Sequence, residues 1–132
     1  MFNKISIIGC GLIGSSILRA VKEKKLASKM SAYDKSPKVN EYLKKNFSVE
    51  ICTNISDVVK DSDLVIIASP LSSYKEILLS IQSNLKENVI LTDTGSAKKE
   101  VNKIISNLNL KKVNWIASHP IAGTEYSGPE AG

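Results

Sequence analysis

Arginine is nearly missing from this chain: among 132 residues Arg19 stands alone, and the net charge of +5 comes from lysine. Histidine occurs once, at His119, and cysteine twice, at Cys10 and Cys52. One tryptophan, four tyrosines and two phenylalanines are the whole aromatic complement. Each scarcity excludes something. Without an arginine cluster or an aromatic stacking platform, the positive charge reads as a solvated surface and not as a nucleic-acid footprint. That charge still raises the local concentration of an anionic ligand. Two cysteines with no C-x-x-C spacing form no disulfide framework, and they read as reduced thiols of a cytoplasmic protein. One histidine and two separated cysteines make no zinc site, so no metal is expected. No apolar stretch is long enough to span a membrane, and the first residues do not form a signal peptide.

What is present is ordinary in bulk and specific in detail. Hydrophobic residues make up 42% and charged residues 23%, as in a typical globular protein, and the length suits one domain with one core. Residues 5–14 read Ile-Ser-Ile-Ile-Gly-Cys-Gly-Leu-Ile-Gly, and Asp34 lies twenty residues beyond the last glycine. A β-branched strand thus runs into G-x-G-x-x-G, which opens an amphipathic helix. In that context Gly9 permits the tight turn, Gly11 lets the backbone approach a pyrophosphate, and Gly14 lets helix and strand pack closely. Leu12 and Ile13 start the helix, whose N-terminal N–H groups and dipole favour phosphate. Asp34 falls where a carboxylate can bind the two ribose hydroxyls of NAD. A glycine turn without a ligand would need neither the acid nor the helix.

The chain alternates strand and helix throughout. Strands are expected at Lys4–Ile8, Ser31–Tyr33, Val49–Cys52, Leu64–Ala68, Val89–Thr92 and Trp115–Ala117. The first helix runs from Leu12 to Lys25 with Ile13, Ile17, Ala20 and Val21 on one face. Ser36-Pro37 caps and starts a second helix carrying Val39, Tyr42, Leu43 and Phe47. Asn54 caps a short third helix with Ile55, Val58 and Val59. Ile77, Leu78, Ile81 and Leu85 mark a fourth, and Val101, Ile104, Ile105 and Leu108 a fifth. The continuous apolar run at residues 64–68 suits a parallel strand buried on both faces, and Pro70 stops it. The pattern predicts an α/β fold, a Rossmann-type doubly wound parallel sheet in the order 3-2-1-4-5-6, with residues 1–132 as one dinucleotide-binding domain.

Ligands of such a sheet bind outside the carboxyl ends of the strands. Four segments follow strand ends there: the glycine motif, Ala68-Ser69-Pro70, Asp93-Thr94-Gly95-Ser96-Ala97-Lys98, and Ser118-His119-Pro120 continuing to Gly123-Thr124-Glu125. Ser69 and Pro70 would lie along the cofactor. Ser96 has two readings, a hydroxyl for a substrate oxygen beside the nicotinamide and a cap for the next helix; one residue can do both. An isolated histidine is usually structural. The place of His119, directly after a strand at the ligand edge, favours proton transfer instead. Thr124 and Glu125 either orient the loop or bind substrate, and Glu125 reads equally as a solvated carboxylate. Cys10, between two motif glycines, reads as tolerated and not used.

Together these strand-end motifs resemble the prephenate dehydrogenase family, with its arogenate and cyclohexadienyl dehydrogenases. The resemblance rests on Gly9-Cys-Gly-Leu-Ile-Gly-Ser-Ser16, on Asp93-Thr-Gly-Ser-Ala-Lys98 and, most selectively, on Ser118-His-Pro-Ile-Ala-Gly-Thr-Glu-Tyr-Ser-Gly128. The family commonly has methionine where Ile121 stands and glycine where Ser15 stands, both mild departures. The resemblance implies NAD-dependent oxidative decarboxylation of prephenate to 4-hydroxyphenylpyruvate in tyrosine biosynthesis. It implies that His119 hydrogen-bonds the C4 hydroxyl and assists its deprotonation. It also implies that Ser96 holds this hydroxyl and the nicotinamide, and that Glu125 shapes or gates the pocket. The family further has a C-terminal helical domain that builds a homodimer and supplies cations for the substrate carboxylates. That domain has no counterpart in this chain, so the chain is expected to be the cofactor-binding part of a longer enzyme, poorly active or inactive alone. Two other readings stand beside this one: another Rossmann dehydrogenase of the hydroxyacid or imine type, and a non-catalytic dinucleotide-binding module. The first of these is not expected to carry the segment 118–128 as it stands here.

Overall fold

In a computed structural model, which describes residues 2–47, 49–95, 98–108 and 113–116, six strands form one parallel sheet. The strands are β1 (Phe2–Ile8), β2 (Ala27–Tyr33), β3 (Glu50–Ile51), β4 (Leu64–Ile67), β5 (Val89–Asp93) and β6 (Val113–Ile116). Their order is β3-β2-β1-β4-β5-β6, the doubly wound order expected. The helices are α1 (Leu12–Lys24), α2 (Pro37–Asn46), α3 (Ile55–Val58), α4 (Tyr74–Ile81) and α5 (Lys98–Leu108).

Strand alternation sends β1 to both faces. Ile5 and Ile7 pack with Leu18 and Val21 of α1 and Leu43 of α2. Ile8 packs on the other face with Val58 of α3, Ile77 and Leu78 of α4, and Val101 of α5. β4 is buried on both faces through Val65, Ile66 and Ile67, as its apolar run requires. Because the chain reverses its winding between α2 and α3, the segments that follow the paired strands β1 and β4 lead to opposite faces of the sheet, and a crevice opens between them at the carboxyl ends.

Caps follow the expected chemistry. Ser36 Oγ accepts from Val39 N at 3.4 Å with Pro37 starting α2, and Asn54 Oδ1 accepts from Ser56 N at 3.0 Å. A buried polar cluster ties α3 to the sheet. Ser6 and Ser31, neighbours across β1 and β2, both donate to Val58 O at 2.5 and 2.8 Å, and Ser62 joins through Ser6. At the amino edge of the sheet Asp63 accepts from Asn3 N (2.7 Å) and pairs with Lys86. The Lys86 ammonium, followed by these backbone N–H groups, holds its carboxyl below the usual range.

Several details differ from the sequence reading: β1 begins at Phe2 and β6 at Val113, each two residues early, and β3 shrinks to Glu50–Ile51. The buried face of α1 is Gly14, Ser15, Leu18 and Val21; Ala20 is exposed, and Ile13 and Ile17 are half-buried. β2 begins at Ala27, not Ser31, because it pairs with β1 from Phe2 onward; its first half has no partner in β3 and no fully buried residue. α4 ends at Ile81, with a 3₁₀ turn over Gln82–Asn84, so Leu85 lies beyond it. Among the described residues no helix is long and apolar enough to cross a membrane.

Candidate cofactor site

The glycine loop divides its work among three positions. Gly9 has φ +90°, and a Cβ there would strike Ser69 Oγ and approach Ser69 N to 2.8 Å. A Cβ on Gly14 would collide with Gly9 O, so only glycine lets α1 pack this close to the loop. Gly11 is different: a Cβ there meets nothing within 4 Å. The Cβ direction at Gly11 is open space.

Gly11 also lines a cavity of about 870 Å³ at the carboxyl ends of the central strands. Gly9, Gly11 and Ile13 form one wall; Tyr33, Asp34 and Lys35 follow β2; Ala68, Ser69, Pro70 and Leu71 follow β4; Thr94 and Gly95 follow β5. Ile55 of α3 and Ile77 of α4 add an apolar side, with Glu76 and Ser80 nearby. The cavity thus brings together Gly9, Gly11, Ile13, Asp34, Ser69 and Pro70. Leu12 starts α1 next to it, and Gly14 packs beneath the loop and does not face the space.

α1 leaves its N-terminus available. Gly11 stands at the cap with no side-chain hydrogen bond, and no acid lies in the first turn. The N–H groups there keep their dipole for an anion. Ser15 Oγ turns inward and donates to Cys10 O at 2.8 Å. The Cys10 thiol is fully buried; burial and then the negative charge of Asp34 push it up to about 12. It stays protonated and is no nucleophile at neutral pH.

Asp34 is held on both oxygens. Oδ2 accepts from Cys10 N at 2.8 Å, inside the glycine loop, and Oδ1 accepts from Ser36 N at 2.9 Å. A carboxylate oxygen has two acceptor positions, so each keeps one for a ligand. Asn40 then grips the Asp34 peptide unit: its Oδ1 accepts from Asp34 N at 3.2 Å and its Nδ2 donates to Asp34 O at 2.8 Å.

The turn after β5 is pinned by a second carboxylate. Asp93, fully buried, accepts from Tyr74 Oη and from Gly95 N, both at 2.9 Å. Burial and this neighbour push the Tyr74 phenol up. A Cβ on Gly95 would come within 2.8 Å of Tyr74 Oη, which leaves glycine there by packing. Thr94 N donates to Ile67 O at 3.0 Å, tying the turn to β4. Ser96, His119, Thr124 and Glu125 lie outside the described residues.

Sequence reasoning missed Asn40, the Tyr74–Asp93 pair and the apolar wall of Ile55 and Ile77. The two isoleucines carried a signal, helical periodicity, but it marks core and cavity wall alike. Asn40 and Tyr74 carried none, since their partners are set by tertiary structure.

A glycine loop under an uncapped helix, with an acid after β2 in the same cavity, defines a nucleotide-binding domain of the doubly wound class. The chain belongs to the family described as "Prephenate dehydrogenase, nucleotide-binding domain", whose model matches residues 17–132. That match begins beyond the glycine loop, so the loop geometry supports nucleotide binding independently of it. A cyclohexadienyl dehydrogenase of Zymomonas mobilis is 39% identical over 100% of this chain and 45% of its own length. A prephenate dehydrogenase of Lactococcus lactis is 33% identical over 95% of this chain and 36% of its own. The solved structure of Aquifex aeolicus prephenate dehydrogenase with hydroxyphenyl propionate and NAD+ superposes with TM-score 0.83 at 30% identity, covering 98% of this chain and 46% of that one. The chain therefore spans less than half the length of each of these relatives.

Proposed function

We propose that the chain is the NAD-binding domain of an enzyme that oxidatively decarboxylates prephenate to 4-hydroxyphenylpyruvate, in the cytoplasm, as a step of tyrosine biosynthesis. The observation that carries this reading is the open cradle at Gly11 in the same cavity as Asp34, within a chain of the prephenate dehydrogenase family. The residues fit a dinucleotide. Gly11 leaves room that a Cβ would fill, and the first turn of α1, with Leu12 and Ile13, offers N–H groups to a pyrophosphate. The free acceptor positions of Asp34 suit two ribose hydroxyls, and its charge repels a 2′-phosphate. Ile55, Leu71 and Ile77 give a flat base an apolar wall, while Ser69 and Pro70 border the cofactor's path.

NAD, when bound, accepts the hydride that leaves C4 of the cyclohexadiene. The resemblance of residues 93–98 and 118–128 to the family supports the rest of the reading. Ser96 and His119 hold the C4 hydroxyl, and His119 takes its proton as the carbonyl forms. The ring carboxylate leaves as CO₂, its bonding pair enters the ring, and the phenolate oxygen so formed regains the proton from His119 as the ring becomes aromatic. Thr124 and Glu125 shape the substrate side. Residues 1–132 act as one domain of a longer protein, whose helical part forms the homodimer and supplies cations for the substrate carboxylates.

The test is a chimera in which this chain replaces the corresponding segment of the Zymomonas enzyme. Prephenate-dependent formation of NADH is the expected result, and His119→Asn lowers kcat by about 10²–10⁴-fold and removes the acidic limb of its pH profile. NADH formation with L-aspartate or a hydroxyacid in place of prephenate would overturn the assignment.

A further inference from the structure

Asp34 stands where β2 runs out of partners. Ala32 O is taken by Cys52 N at 3.1 Å on the β3 side, and Tyr33 O by Gly9 N at 2.8 Å on the β1 side. Asp34, next in that alternation, faces the side of β3 again, and β3 ends at Ile51. The side chain of Asn40, from the first turn of α2, serves both its groups instead: it accepts from Asp34 N and donates to Asp34 O. One planar amide does the work of a strand neighbour. With the peptide unit fixed, the carboxylate meets Cys10 N and Ser36 N and is held at the cavity rim.

From these contacts we infer that Asn40 is a positioning residue that sets the preference of the site for a dinucleotide with a free 2′-hydroxyl over one with a 2′-phosphate. The inference rests on the nucleotide reading of the cavity and deepens it. Asn40 is not among the residues lining the cavity, so it acts through Asp34. A fixed carboxylate both accepts from the ribose hydroxyls and repels a phosphate at the same spot. Released from Asn40, the same carboxylate can swing away from a 2′-phosphate, and exposed Lys35, next in the chain and on the same wall, is then free to meet it. Specificity is a difference between two affinities, and Asn40 holds that difference by denying Asp34 any other position.

The experiment is calorimetric titration of the 132-residue chain with NAD+ and with NADP+, for wild type, Asn40→Ala and Asn40→Asp, alongside thermal melting of each. Wild type binds NAD+ more tightly. Asn40→Ala weakens NAD+ by roughly tenfold, the effect of about one hydrogen bond to a charged group. NADP+ changes little, so the ratio between them contracts. Asn40→Asp keeps the acceptor for Asp34 N and loses the donor to Asp34 O; it contracts the ratio as well and decides the matter if the alanine variant does not fold. A purely structural Asn40 would lower the melting temperature and leave the ratio of the two affinities where it was, which would overturn the inference while NAD+ still binds. A wild-type chain that binds neither cofactor would overturn the underlying reading of the cavity, and this inference with it.

Discussion

Two carboxylates stand at the carboxyl ends of strands of this sheet and do the same local work with opposite consequences. Asp34, after β2, accepts from Cys10 N and Ser36 N; Asp93, closing β5, accepts from Gly95 N and Tyr74 Oη. Each ties down a glycine-bearing turn at the ligand edge. Asp34 lies half-exposed on the wall of the large cavity, while Asp93 is sealed beneath it. The difference teaches that residue type and strand-end position do not separate a binding acid from a structural one. Exposure does, because only a carboxylate that faces space keeps acceptor positions for a ligand.

The contrast is broken most severely at Asp93. Asp93→Ala strands Tyr74 Oη, a buried donor, at about 1–3 kcal/mol, and removes the partner of the part-buried Gly95 N–H as well. Urea denaturation should show a loss of several kcal/mol, whereas Asp34→Ala should lose about 1–2 kcal/mol, since both of its bonds are part-buried and neither is sealed from water as the Tyr74–Asp93 bond is. Equal losses would mean that the two acids are used alike.

The glycine loop offers the same contrast one step smaller. Gly14→Val drives a side chain into Gly9 O and should destabilise the fold, while Gly11→Val points into open space, leaves the melting temperature near that of wild type and abolishes NAD+ binding. An intact NAD+ affinity in folded Gly11→Val would remove the loop from the binding site.

How far the sequence revealed this arrangement depends on what each signal measures. The strand order was legible because a glycine turn, a cap-proline pair and a continuous apolar run punctuate a βα repeat that has few topologies. The face of α1 was misjudged for a physical reason. Close packing on Gly14 selects small residues for the interior, Gly14 and Ser15, and leaves the larger Ile13 at the cavity wall and Ile17 half-buried. The first half of β2 was invisible because Ala27–Met30 holds no fully buried residue, only the partly buried Ala27 and Met30, and pairs on one side only. Asp34 was found from its distance to the glycines. Asn40 and Tyr74 were not, because a side chain that completes another residue's hydrogen bonds obeys no spacing rule.

A third acid gives the smallest effect. Asp63, at the opposite edge of the sheet, has its carboxyl held low by Lys86 and backbone N–H groups. A folded-state value below the unfolded one means that its contribution is full above the unfolded pKa and is lost as pH falls through the folded one. Asp63→Asn should therefore lower stability at neutral pH slightly and flatten the acid limb of a stability–pH curve. An acid limb unchanged in the variant would show that Lys86 and Asp63 are not coupled in solution.

The central claim is that the half-exposed acid, and not the buried one, is the ligand-binding carboxylate. Titrating wild type and Asp34→Ala with NAD+ and NADP+ tests it most directly. Wild type should bind NAD+ more tightly than NADP+, and Asp34→Ala should weaken NAD+ by about tenfold to a hundredfold, the worth of hydrogen bonds to a charged group. NADP+ should be affected little or bound better. Unchanged NAD+ affinity in a folded Asp34→Ala, or tighter binding of NADP+ by wild type, would contradict it.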